Sequence, residues 1–128
     1  MPSFVLSEIT PGAVIKSAQV KAALVGQVAV NTVSYSATPT FDASLGGTQQ
    51  ITLTGNVSSS TLSNVIAGQT ITFKIKQDGT GGRSFVWPTN VLGGMTIDSS
   101  MAAAETATQQ FHCFDGTNLE PISVGVIR

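Results

Sequence analysis

Charge is what this chain has least of. Its 128 residues hold 6 Lys and Arg and 7 Asp and Glu, a charged fraction of 10% and a net charge of −1, where a soluble domain averages roughly a quarter. The cations Lys16, Lys21, Lys74, Lys76, Arg83 and Arg128 are scattered along the chain, which excludes the clustered basic footprint of a nucleic-acid binder. A single cysteine, Cys113, excludes an internal disulfide framework and reads as a small buried thiol. With only one histidine beside it, His112, one chain cannot assemble a structural zinc centre from Cys and His ligands. No apolar run approaches the roughly 20 residues that span a bilayer. The N-terminus has no basic stretch leading into an apolar one, so a secretory signal is not expected. The chain reads as soluble, made in a cytoplasm, with no membrane partner and no cofactor.

What replaces the charge is Ser, Thr, Gly, Asn and Gln; serine and threonine alone make roughly a quarter of the residues, far from average usage. A hydrophobic fraction of 41% excludes the signature of intrinsic disorder, which combines low hydrophobicity with high net charge. Thr-rich, charge-poor surfaces suit exposed sheets, and they suit subunit contacts where buried charge is costly.

Two period-two runs dominate the hydropathy pattern. Ile51 and Leu53 alternate with Thr52 and Thr54, and Ile71, Phe73 and Ile75 alternate with Thr72, Lys74 and Lys76. Successive strand side chains point to opposite faces, so each run describes a strand with one dry and one wet face. The remaining pattern predicts strands over 32–36, 41–42, 48–57, 70–77, 83–87, 95–97, 107–114 and 119–127. Residues 58–68 form a connecting loop, 78–82 a glycine turn pairing 70–77 with 83–87 as a hairpin, and Asp115-Gly116 a second hairpin turn. Short strands at this pitch predict an all-β fold, an antiparallel β-sandwich of jelly-roll type. No internal repeat is visible. Composition changes near Asn31, dividing the chain into an N-terminal arm over 1–31, for subunit or lattice attachment, and a β-sandwich domain over 32–128. Thr10-Pro11 and Gly26 bracket a segment that reads either as one short helix or as an extended arm.

The groups that carry chemistry are few, and each has a plain structural reading. Asp78-Gly79-Thr80-Gly81-Gly82-Arg83 is glycine-rich, but it runs into a strand rather than a helix, so a turn is expected in place of a phosphate cradle. His112 and Cys113 are adjacent on a strand and face opposite sides, so they cannot converge on one substrate. Asp42, Asp98 and Glu105 lie near turns and read as turn and cap residues. Trp87 and Tyr35 are candidate receptor contacts, as a sugar-stacking pair, against the alternative that Trp87 fills the core. No catalytic, cofactor or metal residues are assigned, and no enzymatic activity is expected.

Phe41-Asp42, the stretch from Ile51 to Val57, the Ser/Thr-rich link into Ala67-Gly68-Gln69-Thr70, the loop from Gln77 to Arg83, the segment from Phe85 to Pro88, and Phe114-Asp115-Gly116-Thr117-Asn118 together resemble a small β-module of bacteriophage virion proteins. The resemblance runs in order from about Val33 to Val126 and rests on several short motifs. It implies a non-enzymatic, homotrimeric β-sandwich on the virion surface. Tail fibres place such a module behind a long shaft, and only a short arm stands before it here. That points to a capsid decoration (cement) protein whose partner is the major capsid protein, with Phe4, Val5, Leu6, Ile9, Val14 and Ile15 as lattice or subunit contacts. The alternative is a tail-fibre or spike tip that binds a host-surface receptor or glycan.

Overall fold

A computed structural model describes residues 28–128; the arm contacts Phe4, Val5, Leu6, Ile9, Val14 and Ile15, and the choice between helix and extended arm, lie outside the described residues. The chain folds as all-β. Among the described residues eight strands, β1 (Val30–Val33), β2 (Thr40–Asp42), β3 (Thr48–Leu53), β4 (Thr61–Ser63), β5 (Thr70–Gln77), β6 (Thr106–Cys113), β7 (Leu119–Pro121) and β8 (Val126–Ile127), are accompanied by one 3₁₀ turn at Ala43–Leu45. They form a six-stranded sheet in the order β1-β3-β5-β6-β7, with β8 also on β6, and a two-stranded sheet of β2 and β4.

The pairing corrects the antiparallel, jelly-roll expectation for the first half of the chain. There β1 pairs with β3, β3 with β5, and β2 with β4, all parallel. The chain crosses from the large sheet to the small one and back, laying each new strand beside its predecessor. A parallel pair needs a crossover connection, and here a strand of the second sheet supplies it. Matching positions on the first two coils are offset by 18 residues at Asn31–Gln49, 21 at Ala37–Ser58 and 22 at Asp42–Asn64. On the next pair the offsets reach 26 at Ser60–Val86 and 28 at Asn56–Ser84. Because the spacing drifts, the winding leaves no fixed period in the sequence.

The second half is antiparallel. β6 returns against β5, and β7 and β8 return against β6 on either side of a bulged stretch over 122–125. Between β5 and β6 the chain makes a long excursion over 78–105, closed at its base where the Gln77 amide donates to the Glu105 carbonyl and the Ala104 amide to the Asp78 carbonyl. The expected hairpin of 70–77 with 83–87 therefore does not form: Phe85 bridges to Val57 in parallel, and the antiparallel neighbour of β5 is β6. The cause is the apolar load of the excursion. Phe85, Val91, Ile97 and Met101 are buried and Trp87 packs on the same core, so the segment covers the sheet instead of extending it. The expected 95–97 strand is likewise coil, and 61–63, expected as loop, is β4. Val30 and Asn31, assigned by composition to the arm, already sit in β1.

Five aromatic rings form the centre of the core. Phe73 on β5 takes edge-to-face contacts from Phe41 at 5.3 Å, Trp87 at 5.2 Å and Phe111 at 5.8 Å, while Phe85 meets both Phe41 and Trp87. Such pairs add about 0.5–1.5 kcal/mol each beyond their buried area. Phe41 belongs to the small sheet and Phe73 to the large one, so this cluster joins the two.

Candidate functional site: the outer face of the large sheet

The four longer strands of the large sheet alternate, with inner side chains Asn31 and Val33 on β1, Gln49, Ile51 and Leu53 on β3, Ile71, Phe73, Ile75 and Gln77 on β5, and Ala107, Gln109, Phe111 and Cys113 on β6. Four buried glutamines serve as ties from sheet or coil to loop backbone. Gln49 donates to the Asp42 and Gly46 carbonyls and accepts from Asn31. Gln69 donates to the Ala43 carbonyl. Gln77 both accepts from the Arg83 amide and donates to its carbonyl. Gln109 accepts from the Met95 amide and donates to the Gly93 and Ser123 carbonyls. A carboxamide offers donor and acceptor at once, which lets it replace the backbone partners that a loop passing over a sheet cannot find. None of these glutamines was singled out from sequence; their one signal is glutamine at a dry position of an alternating strand, as Gln77 is after Ile71, Phe73 and Ile75.

The outer face is the opposite in chemistry. Strand register aligns its side chains in rows: Val30, Thr48, Thr72 and Gln110; then Thr32, Gln50, Lys74, Thr108 and Val126; then Thr52, Lys76 and Thr106. Arg128 extends the last row, since its backbone exchanges both hydrogen bonds with Thr106. Rungs lie about 4.8 Å apart and successive outward residues of one strand about 7 Å apart. Gln50, Lys74, Lys76 and Thr106 line a shallow hollow of about 250 Å³.

The other sequence-marked residues are spoken for. Trp87 is half-buried on the core, its indole N–H donating to the Met95 carbonyl at 2.8 Å, and its ring lies so close over Gly94 that a Cβ there would fall 2.5 Å from it. Tyr35 is half-buried too, with its hydroxyl donating to the Asn56 carbonyl at 2.7 Å. Each ring is thus held by its own tie to backbone, Trp87 in the 78–105 excursion and Tyr35 after β1. In the glycine-rich loop, Asp78 accepts from the amides of Thr80 at 3.1 Å and Gly81 at 3.0 Å, and pairs with Arg83 at 3.1 Å. Gly82 donates to the Met101 carbonyl and Arg83 to Gln77. Those amides are consumed by the protein, so the loop is a closed turn. Cys113 is buried on the inner face, whereas His112 lies outside, 3.2 Å from the Thr70 hydroxyl with its ring on Phe114.

Asp42, Asp78, Asp98 and Asp115 each fold a loop around a carboxylate, and each titrates below its ordinary value. The causes are the Ser44 hydroxyl at Asp42, the Arg83 guanidinium at Asp78, the Ser100 hydroxyl and amide at Asp98, and the Asn118 and Thr117 amides at Asp115. Hydrogen bonds to the charged form favour it. Glu105 likewise accepts from the Ala102 amide. Among the described residues no group of three His, Cys, Asp or Glu is placed to hold a metal ion, and no helix is long and apolar enough to cross a membrane.

A different kind of surface occupies one end of the sheet. Since β1, β3 and β5 run parallel and β6 runs back, the loops before the first three and after the fourth share that end. Each carries an exposed large apolar residue: Val28 at 78%, Leu45 at 52%, Ile66 at 59% and Phe114 at 62% exposure. Hydrogen bonds to backbone carbonyls join the loops in series. The Thr48 amide donates to the Ala29 carbonyl, the Gly68 amide to the Cys113 carbonyl and, from a side chain, the Gln69 carboxamide to the Ala43 carbonyl. Single exposed hydrophobes are ordinary; these four are exposed at the same end of the sheet.

No family model, no curated protein and no solved structure matches this chain.

Proposed function

We propose that this chain is a non-enzymatic structural protein of a bacteriophage particle, a trimeric β-module that decorates and stabilises the capsid surface. The observation that carries the reading is the apolar row Val28, Leu45, Ile66 and Phe114, which lies at the end of the sheet where residues 1–27 join it. In this reading Phe4, Val5, Leu6, Ile9, Val14 and Ile15 supply further lattice contacts. The resemblance to virion β-modules supports the same reading. The mechanism is linkage: a protein that binds only the assembled lattice stabilises that lattice by mass action.

Cryo-electron microscopy of intact virions tests the proposal. Trimers at capsid lattice junctions, seated through Ile66 and Phe114, are the expected result, and the full-length Ile66→Glu/Phe114→Glu variant should lose occupancy. Density confined to the tail overturns it in favour of a second reading, a tail-fibre or spike tip contacting a host-surface receptor or glycan. What favours that second reading is the hydroxyl-rich outer face.

A further inference from the structure

The described residues contain four cations, Lys74, Lys76, Arg83 and Arg128, and only Arg83 has an acidic partner. The other three share two adjacent rows of the outer face. Lys74 and Lys76 both project from the central strand β5, about 7 Å apart, into the same hollow of about 250 Å³ as Gln50 and Thr106. Neither lysine makes an ion pair or a hydrogen bond within the described residues. Among the described residues no acidic side chain answers them: Asp42, Asp78, Asp98, Glu105 and Asp115 accept from their own loops, and Glu120 stands opposite His112, in a row at the other end of the sheet. Two like charges side by side without a counter-charge are electrostatically unfavourable, and a bound anion relieves them.

We infer that this hollow binds an acidic saccharide, its carboxylate or sulfate group between Lys74 and Lys76. Lysine supplies donors only, and the oxyanion supplies acceptors only. Around that pair the lining changes to groups that both donate and accept, Gln50 and Thr106 in the hollow and Thr32, Thr52 and Thr108 on the neighbouring rungs. Such groups match sugar hydroxyls. The hollow is smaller than a drug-sized pocket, so it takes one charged sugar residue, with the rest of the chain lying along the rows. The inference goes beyond capsid attachment: among the described residues the outer face is distinct from the apolar end, so saccharide binding does not depend on which part of the particle carries the module.

Titration of the full-length protein by calorimetry tests it, with four probes: an alternating uronic-acid tetrasaccharide, its carboxyl-reduced neutral counterpart, sodium sulfate and tetraglutamate. The uronic-acid tetrasaccharide should bind at least about tenfold tighter than any other probe. Its affinity should fall as salt rises from about 50 to about 300 mM, since exposed charges are screened over a Debye length near 10 Å. Lys74→Gln/Lys76→Gln should weaken it at least about tenfold with an unchanged thermal midpoint, and Lys74→Arg/Lys76→Arg should retain it. Equal binding of the neutral sugar would show that the lysines are not the contact and overturn the inference. Sulfate binding as tightly would remove the saccharide, tetraglutamate doing so would replace it with an acidic peptide, and no saturable heat from any probe would leave no site at all.

Discussion

On β5 two sets of side chains share one backbone and the same neighbouring strands, yet Ile71, Phe73, Ile75 and Gln77 are buried while Thr70, Lys74 and Lys76 are exposed. The inner set meets aromatic rings and loop carbonyls; the outer set meets hydroxyls and water. Polarity alone does not separate them, because Gln77 is as buried as Phe73. What separates them is whether a partner exists. Gln77 finds both halves of its amide satisfied by Arg83, whereas Lys74 and Lys76 have no hydrogen-bond or ion-pair partner among the described residues.

Substitution at the centre of each face breaks this comparison most sharply. Phe73→Ala should cost about 3–5 kcal/mol, from lost burial plus a cavity among rings that cannot all collapse inward. Lys74→Gln, one residue on, should change stability by less than about 0.5 kcal/mol. Urea unfolding of the two variants measures the difference, and comparable losses would refute the assignment of faces. Gln49→Leu keeps the volume but strands the Asp42 and Gly46 carbonyls and the Asn31 amide, so about 2 kcal/mol should be lost. A neutral or stabilising result would mean that loop 43–47 is not held by that tie.

The smallest expected effect comes from pH. With Asp42, Asp78, Asp98 and Asp115 all titrating lower in the folded chain, the unfolded chain takes up protons first. Stability from these turns is therefore complete above the unfolded carboxylate range near pH 4, and it is lost as pH falls through the lower folded values. Because the carboxylates sit near solvent, the slope should be shallow. Asp115→Asn, read by thermal midpoint against pH, should flatten it further, and a steeper acid slope would contradict the cause given.

How much of this was legible in the sequence varies along the chain. The period-two run 70–77 coincides with β5, and 107–114 with β6 to within a residue, because each strand has one face on the core and one on water. The Asp115 turn was legible for a local reason, since its carboxylate bonds amides two and three residues on. β4 was missed because Thr61–Ser63 has a single buried residue, Leu62, too short a run to show alternation. The hairpin assigned to 78–82 failed because its glycines do specify a turn, but a turn does not name the partner strand; the aromatic load of Phe85 and Trp87 chose the core. The outer hollow was illegible for the same reason: Gln50, Lys74, Lys76 and Thr106 become neighbours only through register.

By itself the sequence determined the class of structure and the chemistry of each strand's two faces. Alternation of Ile, Phe and Leu with Thr and Lys demands a half-buried sheet, and scarcity of charge leaves that sheet's exposed face to hydroxyls and amides. Only the tertiary structure decided that the first strands lie parallel, that glutamines fasten the loops, and that two lysines share a hollow beside Gln50 and Thr106. The physical reason is range. Side-chain alternation is set by each residue and its immediate neighbours, whereas pairing direction and register join groups 18 to 42 residues apart along the chain, whose positions no local pattern encodes.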